Sequence, residues 1–240
     1  MDTIVYLAKD RGIANYDWLQ AKYSFSFANY YDSEKVNFGA LRVLNDDIIA
    51  AGMGFGKHPH DNMEIITIPL EGALKHRDSM SNEWIPLHTG EVQVMSAGTG
   101  LMHSEMNNST KEPINLFQIW IQPSTKNIKP LYDQKQFDAS LRKNKLQILV
   151  SSINNEVEGG LKIYQDAQIS RIDLDATADF KYVVKSKNHG VYVMVIDGEI
   201  EVVNKTLGKR DAIGISQTTN IYFTAKRSSE LLFIEVPMNF

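Results

Sequence analysis

Short apolar runs separated by turn residues, rather than long amphipathic stripes, set the rhythm of this chain. Ile65-Ile66-Thr67-Ile68, Glu91-Val92-Gln93-Val94-Met95, Leu116-Phe117-Gln118-Ile119-Trp120-Ile121 and Lys145-Leu146-Gln147-Ile148-Leu149-Val150 are rich in β-branched and aromatic side chains, which predicts strands. Asn45-Asp46-Asp47, Glu71-Gly72 and Asp197-Gly198 read as turn or hairpin punctuation. Two segments depart from the strand pattern. Tyr132 to Lys143 opens after Pro130 and carries Phe137 and Leu141 at helical spacing, which predicts a helix; Tyr16 to Lys22 predicts a shorter one. A faint repeat runs through the pattern as well. Ile65 to Leu74 reads as apolar strand, Leu-Glu-Gly, then strand, and Val191 to Val203 reads as apolar strand, Ile-Asp-Gly, then strand. The expectation is an all-β chain of two barrels in tandem with a few short helices. The boundary falls in the Gln122 to Asn144 connection, giving residues 1–128 and 129–240.

Chemistry is concentrated in the first half. Five of the six histidines fall between positions 58 and 103. His58 and His60 sit two apart at the edge of a strand-like run, and alternate strand residues share a face, so both rings can point the same way. His103 and Glu105 repeat that spacing after the Gly98-Thr99-Gly100 turn. If the two strands meet, three imidazoles and a carboxylate converge, a donor set suited to a divalent first-row metal. Glu64 competes with Glu105 for the carboxylate place; as the loser it would orient a ring N–H from behind. His76 and Asp78 read as a cross-strand polar contact, and His88 as a turn residue. The glycines of Gly52-Met53-Gly54-Phe55-Gly56 precede a strand rather than a helix N-terminus, which argues against a phosphate cradle and for a backbone bend. The aromatics from Phe25 to Tyr31 either line a pocket or cover a barrel end. In the second half His189 stands alone, so the 129–240 barrel is expected to carry no metal.

The spacing has a counterpart among known families. Gly52, His58, His60, Glu64 and Gly72 follow the first cupin motif with one extra residue before the last glycine. Gly90, Gly98, His103 and Asn107 follow the second, with Ser96 in the proline position and two extra residues before the histidine. His58-Pro59-His60, Leu70-Glu71-Gly72, His76-Arg77-Asp78-Ser79, Ser96-Ala97-Gly98-Thr99-Gly100, His103-Ser104-Glu105 and the early Phe25-Ser26-Phe27-Ala28-Asn29-Tyr30-Tyr31-Asp32 narrow this to the pirin family, which the chain resembles strongly over residues 10 to 135 and more weakly beyond. The resemblance implies two cupin, jelly-roll-like barrels, with a metal in the first and none in the second. It also implies that the fourth ligand is the carboxylate two residues after the last histidine, Glu105. Its nearest match is to short bacterial pirin-like proteins regarded as quercetin 2,3-dioxygenases. From this follow one divalent transition metal per chain (iron first, with manganese, nickel, copper, zinc or cobalt accepted by the same donors), a flavonol-like substrate, dioxygen, and Glu105 as the residue that takes the hydroxyl proton. The alternative implied by other pirins is an iron-dependent, redox-sensing regulatory protein without turnover.

Composition narrows the field further. No cysteine is present, which removes disulfides, thiolate ligands and a thiol nucleophile, so any metal is held by nitrogen and oxygen. A net charge of −4 without a long basic cluster disfavours direct nucleic-acid binding. No apolar run reaches the ~20 residues of a membrane helix, and no signal segment opens the chain, so a cytoplasmic monomer is expected.

Overall fold

The structure, a computed structural model, describes residues 1–155 and 157–240. β1 (Asp2–Tyr6) opens the chain. β2 (Gly12–Asn15), β3 (Leu19–Tyr23), β4 (Leu41–Ile49), β5 (Gly54–His60), β6 (Glu64–Glu71), β7 (Ala73–Asp78), β8 (Ile85–His88), β9 (Glu91–Ser96), β10 (Leu101–Asn107), β11 (Ile114–Ile121) and β12 (Leu131–Gln136) follow. The remainder is β13 (Gln147–Ser152), β14 (Leu161–Ile163), β15 (Gln168–Leu174), β16 (Asp179–Val183), β17 (His189–Val202), β18 (Lys205–Gly208), β19 (Ala212–Ser216) and β20 (Asn220–Pro237). A seven-stranded sheet in the order β12-β9-β6-β11-β4-β3-β2 and a four-stranded sheet in the order β5-β10-β7-β8 form the first unit. A nine-stranded sheet of β1 and β13–β20 wraps around the core of the second. The chain is all-β, as its pattern predicts.

Neither predicted helix forms. Tyr16 to Lys22 gives way to β3, whose buried and exposed residues alternate as a strand on β4 requires. The first five residues of Tyr132 to Lys143 lie in β12, paired with β9 from Leu131↔Ser96 to Gln136↔Glu91, and only Ala139–Arg142 makes a 3₁₀ turn, opened by the Ser140 N–H donating to Asp138 Oδ1. Leu141, needed for an apolar helical stripe, is 62% exposed. An open sheet edge outbids a weak helical period. The turn readings divide. Gly72 turns the chain at φ +80° between β6 and β7. Gly198 instead lies inside β17, where the register with β20 shifts on both sides of Asp197, so Asp197-Gly198 is a bulge rather than a hairpin end. Asn45-Asp46-Asp47 is no turn at all, but the buried middle of β4. The 128/129 division is crossed twice, since β1 pairs with β19 in the second unit and β12 with β9 in the first. Among the described residues no helix is long and apolar enough to cross a membrane.

Alternation along β6 decides what faces what. Ile65 and Thr67 point into the first unit, whereas Ile66 and Ile68 join a core shared with the second unit. That shared core is closed by Tyr6, Phe25, Phe38 and Tyr192, with ring centroids 5.1 Å apart for Tyr6–Tyr192 and 5.6 Å for Phe25–Tyr192. Glu64 lies on the same outward face as Ile66, fully buried, accepting a 2.5 Å hydrogen bond from Ser96 Oγ. Burial pushes its carboxyl up to about 7, against which Ser96 pulls down. Because the folded state then binds more protons than the unfolded state between pH 4.5 and about 7, stability falls as pH rises through that window. The loss amounts to ~3 kcal/mol at most. Glu64→Gln, which copies the protonated carboxyl, should therefore unfold at higher denaturant than wild type at pH 8, by ~1–3 kcal/mol, and converge with it near pH 4. Parallel urea curves at the two pH values check this; an equal difference at both would disprove the assignment.

Candidate metal centre

β5 and β10 are antiparallel neighbours, with Leu101 opposite His60 and His103 opposite His58. Two residues on one face of β5 thus meet one on the facing side of β10, and His58, His60 and His103 place donor nitrogens within 4.8 Å of one another. Their ring centroids lie 4.3 to 4.9 Å apart. The register slips by one residue between His103 and Glu105, a bulge beside the cluster. Gly54 makes the close approach of the two strands possible, because a Cβ there would sit 2.1 Å from the Glu105 carbonyl oxygen.

The local chemistry leaves ring nitrogens turned toward a common point. His58 Nδ1–H donates to the Gly56 carbonyl at 2.7 Å, and a carbonyl only accepts, so Nε2 carries the free lone pair. That Nε2 is 2.9 Å from His103 Nε2. Two nitrogens each ~2.1 Å from one ion and at right angles to each other stand ~3.0 Å apart, so the pair fits a shared metal. Burial, then His103 and His58, lowers the His60 imidazole to about 4; burial, then His58 and His76, lowers that of His103 to about 3. Both rings stay neutral and available as ligands at physiological pH.

Glu105 is held slightly apart. It groups with His103 and His76 in a second set of donors within 4.8 Å, rather than with all three histidines of the first. Gln118 Nε2 donates to its Oε2 at 3.0 Å, Thr67 Oγ1 lies 3.5 Å from its Oε1, and Thr67 donates to Gln118 Oε1 at 3.0 Å. Glu64 is not behind the rings: strand alternation sends it to the outer face of β6, where it bonds Ser96. His76 was legible only as a polar contact, and its partner differs from that expectation. It bonds Asp78 at 3.0 Å along its own strand, not across strands, while stacking on Tyr132 and lying 5.4 Å from the His103 ring. His88 ends β8, exposed, before the Gly90 turn.

The histidines form one side of a cavity of about 510 Å³ whose other walls are largely apolar, with Trp18, Phe27, Phe55 and Trp120 around it. The early aromatic run is divided, Phe27 facing this cavity and Phe25 the core between the units, because the chain bends after β3 rather than continuing as a strand. Two polar residues in the wall come from the stretch read as a turn. Asn45 and Asp47 project into the cavity from mid-β4, and burial, reinforced by Asp46 and Glu105, raises the Asp47 carboxyl to about 8. Three polar residues interrupting an apolar run were the signal available for them. In the second unit His189 contacts Glu235 at 2.9 Å and Asp166 at 3.4 Å.

Comparison with known proteins agrees with this geometry. Residues 6–121 match the family model described as Pirin, and residues 149–236 the one described as quercetinase C-terminal cupin domain. The chain is 41% identical over 237 residues to a protein of Escherichia coli (strain K12) named quercetin 2,3-dioxygenase, spanning 98% of this chain and 99% of that one. It is 39% identical over 224 residues to a pirin-like protein of Caulobacter vibrioides, spanning 93% and 95% of the two chains. The crystal structure of a bacterial pirin from Escherichia coli in complex with nickel(II) superposes with a TM-score of 0.91 at 37% identity, covering 98% of this chain and 99% of that one. With near-complete coverage on both sides and both barrels matched, the chain belongs to the pirin family.

Proposed function

We propose that the protein is a metal-dependent dioxygenase that opens the central ring of quercetin-like flavonols, with one divalent transition metal held by His58, His60, His103 and Glu105. The observation that carries this reading is the convergence of three imidazoles, at nitrogen separations suited to one ion, on the wall of a mostly aromatic cavity. Iron is the first candidate for a redox role, and the nickel(II) complex of the related pirin supports a divalent-metal site in this fold. A redox-active ion there supplies Lewis acidity toward the flavonol 3-hydroxyl oxygen and access to dioxygen, the overall change being flavonol plus dioxygen to a depside and carbon monoxide.

The protein's own groups do the rest. Trp18, Phe27, Phe55 and Trp120 offer flat apolar surface to a planar polyphenol and keep water from it. His60 and His103, kept unprotonated by burial and by neighbouring imidazoles, hold the ion without competing for the substrate proton. Glu105 is the base for the 3-hydroxyl. Its carboxylate is poised between the histidines and the Gln118–Thr67 pair, so small rotations exchange a hydrogen bond for a ligand position.

Two measurements test this. In the His58→Ala/His60→Ala double variant, metal content measured by mass spectrometry should fall from one ion per chain to background while the circular dichroism spectrum is retained. Full retention of metal would remove these residues from the site. In Glu105→Gln, flavonol turnover should drop ~10²-fold or more, the usual scale for losing a general base, with metal content reduced less than in the double variant. Carbon monoxide should appear one-for-one with flavonol consumed, and only with both oxygen and metal present. Wild-type turnover in Glu105→Gln would exclude it as the base. Unchanged flavonol with iron, manganese, copper and nickel each supplied would shift the assignment to the regulatory reading.

A further inference from the structure

β4 crosses the seven-stranded sheet between β3 and β11 and carries Asn45 and Asp47, two apart, on the face that lines the cavity. Both are buried, at 3% and 4% exposure, yet Oδ1 of each has no hydrogen-bond partner among the described residues. Around Asp47 the neighbouring strands offer Ala21 on β3 and Leu116 on β11, neither of which can donate from its side chain, and the Tyr23 hydroxyl, opposite Asn45 on β3, bonds neither Oδ1. Gln118, the one amide opposite Asn45, is already committed to Glu105 and Thr67. Buried acceptors are almost always paired, because leaving one bare forfeits its hydration without replacement. Two bare acceptors on one wall of a cavity that also carries the histidine cluster are therefore groups whose partner arrives with the ligand. The Asn45 amide oxygen accepts, and a carboxyl oxygen of Asp47 accepts or, when protonated, donates; in a cavity walled by aromatic rings a phenolic O–H, which both donates and accepts, can pair with either without adding charge.

We propose that Asp47, with Asn45 beside it, is the hydrogen-bonding subsite for a second hydroxyl of the ligand, and that it sets a preference for polyhydroxylated over sparsely hydroxylated flavonols. This inference rests on the flavonol reading above. It makes Asp47 a specificity-determining residue with no duty toward the metal. A site that must hydrogen-bond a hydroxyl discriminates strongly against an analogue lacking it, since the bare acceptor stays bare in that complex.

The test compares two flavonols that share the 3-hydroxy-4-keto edge and differ only in their further ring hydroxyls. Metal-loaded protein is titrated without oxygen, followed by quenching of tryptophan fluorescence, to which Trp18 and Trp120 in the cavity wall respond. Wild type should bind the polyhydroxylated compound about tenfold or more tighter. In Asp47→Leu, or Asp47→Ala should leucine overfill the site, the ratio should collapse to within ~threefold, with metal content unchanged. Asp47→Asn, which keeps an acceptor and a donor, should restore the preference. A second readout needs no ligand. Removing an unpartnered buried carboxyl should raise the melting temperature of ligand-free Asp47→Leu by ~2–4 °C, whereas a structural role would lower it. An equal loss of affinity for both flavonols, or a lower melting temperature with the preference intact, overturns the inference. If wild type binds both flavonols equally, the inference alone falls. If it binds neither, the flavonol reading falls and takes the inference with it.

Discussion

The pairing of β5 with β10 is the constraint from which the centre follows. Side chains on a strand alternate, so His58 and His60 share a face, as do His103 and Glu105, and the antiparallel register puts His103 directly across from His58. A slip of one residue would turn one of these pairs of side chains outward. Three features hold the register. Gly54 admits the Glu105 backbone, the bulge between His103 and Glu105 absorbs an extra residue, and β7 clamps β10 from its other side through Glu105↔His76 and its neighbours. The same clamp explains why His76 stands so near the cluster. It is the cross-strand partner of Glu105, and its bond to Asp78 and its stacking on Tyr132 occupy it where it is.

How much of this was legible in the sequence depended on whether a feature is local. The histidines and Glu105 sit on strands with period two, and that period is a property of each strand by itself, so their shared faces could be read without knowing the fold. The choice between Glu64 and Glu105 turned on which face of β6 is inward, a tertiary fact that only the resemblance addressed; in the structure Glu64 faces the second unit. The helix expected over Tyr132 to Lys143 failed for a similar reason, since nothing in that segment says that the edge of β9 lies open to receive it. Asn45-Asp46-Asp47 misled most. Three consecutive polar residues with turn preference are ordinary loop chemistry, and only a site that uses bare polar groups gives a strand reason to carry them through its middle.

That local conflict bears on how stability and function share the molecule. Asp47 and Glu64 are both buried carboxyls raised well above their ordinary range by desolvation, yet they differ in what surrounds them. Glu64 accepts from Ser96 through Oε2 on the face turned away from the cavity, although its Oε1 is without a partner among the described residues. The Asp47 side chain lies on a cavity wall with an oxygen that the fold leaves bare. Departures from local consistency concentrate where a protein must receive something from outside, and a native state only marginally stable overall tolerates few of them.

The second unit supplies what the first needs to tolerate them. Sheet alternation gives β6 and β11 two buried faces, one toward the cavity with Ile65, Thr67, Gln118 and Trp120, the other toward the shared core with Ile66, Ile68, Phe117 and Ile119. A cavity of about 510 Å³ removes packing partners from the first face. The opposite face recovers them by lying against Tyr192, Met194, Leu232 and Ile234 of β17 and β20, while β1 crosses over to seal the edge of β19. A wall that is hollow on one side must be solid on the other to hold imidazoles at fixed separation. The second barrel therefore acts on the centre through the rigidity of the strands it backs.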